Sequence, residues 1–142
     1  MDNGPGETEA TTAPAKGTAD RVQTTTGEEL SAPRGAAIIV DLDAIEQNAR
    51  TLTGRLGGIA AVGVTKVTCG NHAVADAMLR GGVYALADSR LVNLAKLRAA
   101  GVRGPFWLLR APTPAQADET VRLADVSLES ELRTVLALDE AA

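Results

Sequence analysis

The chain has 142 residues, which is the size of one ordinary domain, and 45% of them are hydrophobic against 23% charged. Its net charge of −4 gives no support to nucleic-acid binding, which requires a clustered basic face. The single cysteine excludes an internal disulfide framework and a cysteine-rich zinc site. No apolar run approaches the roughly 20 residues that span a bilayer, and the polar, acidic N-terminus is not a secretory signal. We therefore expect a cytoplasmic protein with no membrane or nucleic-acid partner.

Residues 1–34 differ in composition from the rest of the chain. They are rich in Thr, Gly and Pro, and their large apolar side chains are confined to Met1, Val22 and Leu30. Such a segment buries too little surface to offset the entropy of ordering it. The composition predicts a disordered tail, with a short docking peptide as the alternative, followed by a folded body at residues 35–142.

The body repeats one pattern, in which an apolar run precedes a helical pattern. Five such runs begin near Ile38, Ile59, Val83, Pro105 and Asp125. The helices are marked by capping residues, namely Asp43 with Glu46, then Asn71, Ser89 and Thr113 with Pro114 and Gln116, and by terminal glycines at Gly81, Gly82 and Gly101. Strands that are continuously apolar and alternate with helices predict a parallel sheet covered by helices. Both an open doubly wound sheet and a (β/α)8 barrel fit this pattern.

Lys66 is the most informative candidate residue, because both architectures place function at the carboxyl ends of the strands. It closes the apolar run that begins near Ile59, and the body contains one other lysine, Lys96, in the middle of a predicted helix. A lysine at the end of a buried strand is desolvated, which favours the neutral amine and allows a Schiff base with a carbonyl cofactor. The alternative is a lysine that extends to solvent at the rim of the sheet.

Other polar residues follow the later strands. Arg110 is a candidate for binding a phosphate or carboxylate, with an ion pair to a neighbouring acid as the alternative. The sequence Asp88-Ser89-Arg90 is a candidate cofactor-contacting loop, although a helix N-cap explains Ser89 without a ligand. His72, the single histidine, is interpreted as a surface or capping residue, and Cys69 as a thiol near the site.

Several segments resemble the alanine racemase N-terminal domain family. The segment Val40–Asn48 is similar to the opening of that family, and Gly63-Val64-Thr65-Lys66 matches its cofactor-binding lysine. Five segments are most similar to the ornithine-racemase-type branch: Lys66–Gly70, Gly81–Val83, Ala87–Arg90, Leu108–Pro112 and Ala124–Glu131. The resemblance covers residues 36–142.

The resemblance implies a (β/α)8 barrel that binds pyridoxal 5'-phosphate (PLP) at the strand ends. It implies that Lys66 forms the Schiff base and acts as one of two bases at the substrate α-carbon, with PLP as the electron sink. Asp88, Ser89, Arg90 and Arg110 are expected to contact cofactor or substrate. We expect the chain to be part of a PLP-dependent racemase of a free amino acid such as ornithine or alanine, homo-oligomeric in its full-length form.

Two departures from the family pattern affect this expectation. Alanine racemases follow the lysine with Tyr-Gly, whereas this chain has Cys69-Gly70 and no tyrosine there, which weakens alanine as the substrate. About five βα units are visible where a closed barrel needs eight strands and typically ~250 residues. We therefore expect an N-terminal portion of a longer enzyme. The alternatives are a non-catalytic PLP-binding homeostasis protein and an inactive truncated fragment.

Overall fold

Helices and strands alternate along residues 38–142, the part of the chain that the computed structural model describes. The predicted tail at residues 1–34 lies outside these described residues. The helices are α1 (Leu42–Arg55), α2 (His72–Arg80), α3 (Leu91–Ala99), α4 (Ala117–Leu123) and α5 (Leu132–Ala141). The strands are β1 (Val62–Val64), β2 (Ala85–Asp88), β3 (Phe106–Leu108) and β4 (Val126–Ser127). Single turns of 3-10 helix occupy Lys66–Thr68 and Pro114–Gln116.

The strands form one sheet in the order β1-β2-β3-β4, and every neighbouring pair is parallel. Each crossover between neighbouring strands contains a helix, as parallel pairing requires. The predicted parallel sheet covered by helices is therefore confirmed, and all strand ends that precede a helix lie at the same edge of the sheet.

The apolar core lies between the sheet and its helices. Leu86 of β2 and Phe106 of β3 are register partners, and both are fully buried with Leu94 and Leu97 of α3. Burying side chains of this size is worth about 1.5–3 kcal/mol each. This face of the sheet is the one that fixes α3 against the strands.

The opposite face of the sheet is less covered. Side chains alternate along a strand, so the register row Val64, Ala87, Trp107 and Val126 points away from the core. Within residues 38–142, Val64 is 37% exposed and Val126 is 38% exposed. In a closed barrel, this face is the one that lines the interior.

The first predicted strand, near Ile38, is wrong. Residues 38–40 form no strand within the described part of the chain, and Ile38 and Ile39 are 92% and 71% exposed. An apolar β-branched run becomes a strand only when a neighbour accepts its backbone hydrogen bonds. No described strand pairs with this run, so four of the five predicted strands are present.

The predicted N-cap of α1 is also wrong, by two residues. The helix begins after Asp41, whose side chain accepts a hydrogen bond from the Ala44 backbone N–H at 2.9 Å, while Asp43 lies in the first turn. Glu46 contacts Arg50 and Arg80 instead of closing a capping box with Asp43.

The other predicted helix ends are largely confirmed. The Asn71 side chain accepts from the Ala73 and Val74 backbone N–H groups and begins α2, and Thr113 and Gln116 form a capping box around Pro114. Gly82 and Gly101 have φ values of +94° and +78° just after α2 and α3. Such positive values explain why glycine follows these helices.

Candidate functional site

Lys66 begins the short connection between β1 and α2. The Thr65 backbone N–H donates to the Ala87 carbonyl at 2.9 Å, which extends the β1–β2 ladder as far as the residue before Lys66. Lys66 then opens a single 3-10 turn, and its side chain is exposed. Of the two alternatives left open for this amine, extension to solvent at the rim is the one seen in residues 38–142, because the strand ends two residues earlier and the turn carries the side chain to the rim. No described carboxylate forms a salt bridge with Lys66.

The turn after Lys66 has unusual backbone geometry. Cys69 and Gly70 have φ values of +53° and +69°, in the left-handed region that non-glycine residues rarely adopt. The Cys69 backbone N–H donates to the Lys66 carbonyl at 3.3 Å, and the Cys69 thiol is exposed. These two residues reverse the chain so that Asn71 can begin α2, and Lys66 thus lies on the connection of residues 65–71, both ends of which are fixed by regular structure.

Asp88 ends β2 as a fully buried residue rather than an open one. One carboxylate oxygen accepts from the Thr65 hydroxyl at 2.9 Å, and the other accepts from the Asn93 amide and the Arg90 backbone N–H, each at 3.0 Å. The capping role predicted for Ser89 is wrong, because Arg90 is the N-cap residue of α3 and no side-chain cap hydrogen bond is seen there among residues 38–142.

Ser89, Arg90 and Arg110 meet at a groove of about 450 Å³ beside the ends of β2 and β3. The start of α3 forms one wall, and the segment from Arg110 to the start of α4, including Thr113 and Glu119, forms the other. Neither arginine forms a salt bridge with a carboxylate of residues 38–142, so the ion pair considered for Arg110 is not seen among them. Lys66 and Asp88 do not line this groove.

Three residues in this region were missed by the sequence analysis. Thr65 and Asn93 are buried partners of Asp88, and Glu119 is a half-buried groove residue. Asn93 carried a signal, since it lies inside a helix on the side that also carries the buried Leu97, where an amide needs a partner. For Thr65, the sequence gives no signal beyond its position before Lys66.

The remaining candidates lie at the surface. His72 is exposed at the first position of α2, as predicted, and Lys96 is exposed in α3. Across residues 38–142, no three His, Cys, Asp or Glu side chains come together as a metal site would require. The helices described here are all too short or too polar to cross a bilayer.

The fold and site define an α/β protein with a parallel sheet and a lysine in the connection after its first strand, and comparison with known proteins identifies the family. The model of the alanine racemase N-terminal domain matches residues 40–142. The chain therefore belongs to the alanine racemase N-terminal domain family, and the predicted resemblance is confirmed.

Individual relatives agree with this assignment. The chain is 35% identical over 105 residues to a lysine racemase of Thermotoga maritima, covering 72% of this chain and 30% of that protein. It is 34% identical over 107 residues to an ornithine racemase of Acetoanaerobium sticklandii, covering 74% of this chain and 30% of that protein. The crystal structure of alanine racemase from Bacillus anthracis with bound L-Ala-P matches with a TM-score of 0.62 and 25% identity, covering 72% of this chain and 28% of that one.

The structural matches confirm the fold class as the N-terminal part of a racemase barrel domain. The chain spans about 30% of the length of the curated relatives that it matches.

Proposed function

We propose that residues 38–142 form the lysine-bearing portion of a PLP-dependent amino-acid racemase. The observation that carries this proposal is the place of Lys66, on the loop that follows β1, at the sheet edge where the βα connections of such folds gather their chemistry. Family membership supports the reaction class. We propose a cytoplasmic enzyme that is homo-oligomeric in its full-length form.

The chemistry of the side chains present fits PLP. The primary amine of Lys66 is the group that forms a Schiff base with an aldehyde, and the two groove arginines are suited to an anionic phosphate or carboxylate. Ser89 adds a hydroxyl donor at the same groove. We propose Lys66 as the cofactor-attaching residue and Ser89, Arg90 and Arg110 as contacts to the anionic groups of cofactor or substrate.

The proposed role of this chain in the reaction is proton transfer at the substrate α-carbon. PLP, when bound, supplies an electron sink that stabilises negative charge at that carbon. The Lys66 amine, once free, accepts or returns the α-proton on its own side of the substrate. A single lysine serves one side only, so the opposite side requires a second base, which racemases supply from elsewhere in the full-length protein.

We propose a diamino acid, ornithine or lysine, as the substrate. The two curated relatives carry those names, and Cys69-Gly70 replaces the Tyr-Gly pattern of the alanine enzymes. A panel of free L-amino acids given to the full-length product with PLP, followed by chiral chromatography, tests this. Racemisation of ornithine or lysine supports the proposal. PLP binding with no turnover of any amino acid favours the non-catalytic PLP-binding protein instead.

Borohydride reduction tests the lysine assignment directly. The chain is incubated with PLP, reduced and digested, and the labelled peptides are mapped. We expect the label on Lys66 and its loss in Lys66→Arg, while Lys96→Arg, which changes the exposed lysine of α3, keeps the Lys66 label. Preferential labelling of Lys96 or Lys16 would contradict the assignment.

A further inference from the structure

Asp88 is a buried carboxylate with no cationic partner among residues 38–142. Its side chain is fully buried, and none of the salt bridges in this part of the chain includes it. A buried charge without hydrogen bonds is strongly destabilising, and removing one donor leaves it uncompensated. The three donors that satisfy Asp88 come from Thr65 just after β1, from Asn93 in α3 and from the Arg90 backbone between β2 and α3. The carboxylate therefore links the residue before Lys66 to the helix beside it.

The loop of Lys66 is built around Thr65. The Thr65 backbone N–H donates to the Ala87 carbonyl, and its hydroxyl donates to Asp88. The Thr65 carbonyl accepts from the Thr68 and Gly70 backbone N–H groups at 3.0 and 3.3 Å, and from the Thr68 hydroxyl at 3.0 Å. Because each polar group of Thr65 is engaged, the backbone on both sides of Lys66 is held by this one residue.

The far end of the same loop rests on α3. A Cβ atom at Gly70 would lie 2.8 Å from the Asn93 carbonyl oxygen and 2.9 Å from the Asn93 Cβ. Asn93 also donates its amide to Asp88. The start of the loop at Thr65 and its end at Gly70 therefore reach the same carboxylate, directly in one case and through Asn93 in the other.

We propose that Asp88 is a positioning residue that, through Thr65 and Asn93, fixes the backbone of Lys66 while leaving its amine free to react. This inference rests on the proposed function for its purpose, which is to present Lys66 to the cofactor. It assigns Asp88 a role distinct from the direct cofactor contact expected from the resemblance.

Amide hydrogen exchange tests the positioning without any cofactor. In Thr65→Val, which keeps the shape but removes the hydroxyl, we expect exchange at the Thr68 and Gly70 amides to become at least about tenfold faster. The Leu86 and Leu109 amides, which bond across the sheet, should keep their protection. The matched control is Thr120→Val, because Thr120 is a similarly buried threonine whose hydroxyl has no hydrogen-bond partner among residues 38–142. Thr65→Ser should restore wild-type exchange.

The labelling rate of Lys66 by PLP and borohydride provides the second readout. We expect Thr65→Val and Asp88→Asn to slow Lys66 labelling about tenfold relative to Lys96 in the same sample, with Thr120→Val unchanged. Comparison with Lys96 keeps the test valid if a variant loses some folded protein.

The outcomes separate the two proposals. Uniform loss of protection across the sheet, or unchanged Thr68 and Gly70 exchange in Thr65→Val, overturns the positioning role. If exchange responds as expected but the wild-type chain labels Lys66 no faster than Lys96, the positioning stands and the proposed function fails. Unchanged Lys66 labelling in both variants, beside preferential labelling in the wild type, overturns the proposal that the network serves the cofactor.

Discussion

At the scale of single residues, the loop of Lys66 depends on Gly70, a residue without a Cβ atom. Gly70 combines a positive φ of +69° with the closest approach to α3, so it has both a conformational and a packing reason to be glycine. Gly101 shares the positive φ, at +78°, but a Cβ atom there would meet nothing within 4 Å in the described part of the chain. Comparing substitutions at Gly70 and Gly101 therefore separates the cost of backbone strain from the cost of the close contact.

We expect Gly70→Ala to destabilise the chain more than Gly101→Ala. The left-handed conformation alone costs an alanine about 1–2 kcal/mol at either site. The contact with Asn93 adds about 1–3 kcal/mol at Gly70, because backbone atoms cannot move aside easily. Urea unfolding of both variants checks this difference. Equal losses would show that α3 yields to the added methyl group and that the loop is not tightly seated on it.

At the scale of elements, Glu46 joins α1 to α2. Its carboxylate accepts from Arg80 of α2 at 2.7 Å and also contacts Arg50 one turn along α1. The hydrogen bond from Arg80, followed by that from Arg50, lowers the pKa of Glu46 below its usual value of 4.5. Next to this pair, Gly81 packs directly against Ala49, so that a Cβ atom at position 81 would overlap the alanine Cβ.

The contribution of Glu46 should depend on pH in a defined direction. Because its pKa is lowered in the folded chain, the stabilisation is present above about pH 4.5 and is lost as the pH falls through the folded-state pKa. We expect Glu46→Gln to be less stable than the wild type at neutral pH and the difference to shrink at acid pH. Thermal unfolding at several pH values measures this. Glu140→Gln, a glutamate in none of the salt bridges of residues 38–142, serves as the control and should show no such convergence.

The elements that the sequence predicts well are those with local signals. Asn71, Gly82, Thr113 and Gln116 act within four residues of their own position, so their capping and turn roles are readable along the chain. The strand predicted near Ile38 is wrong because strand formation depends on a partner that is distant in the sequence. Asp41 and Asp43 are equally good caps, and only the path of the backbone selects between them.

In the candidate site, too, some features are predictable from the sequence and others are not. Lys66 was predictable from its place after an apolar run, together with the resemblance, and so was the meeting of Ser89, Arg90 and Arg110 at one sheet edge. The network of Asp88 was not, because the hydroxyl of Thr65 and the carboxylate of Asp88 are 23 residues apart. Burial of Asp88 depends on the packing of α3, which sequence spacing does not specify.

At the scale of the whole molecule, the sheet of residues 38–142 has two unpaired edges, at β1 and β4. Apolar side chains remain exposed beside them, including Val126 at 38% and Leu128 at 47%. Unpaired strand edges offer backbone groups for pairing with another chain. Covering each such side chain is worth about 1.5–3 kcal/mol, and a few of them are comparable with a net stability of roughly 5–15 kcal/mol.

We therefore expect the 142-residue chain, expressed alone, to self-associate and to show no racemase activity with added PLP. Size-exclusion chromatography with light scattering should give a mass well above the 14.6 kDa of one chain. Val126→Lys places a charge on the β4 edge. It should shift the distribution toward monomer, because pairing at this edge would bury the lysine charge. Val121→Lys changes an equally exposed valine of α4, at 37%, and should leave association unchanged. A monomeric wild-type chain would show that the edges of this sheet are protected, and equal effects of the two lysines would place the association surface on the helices instead.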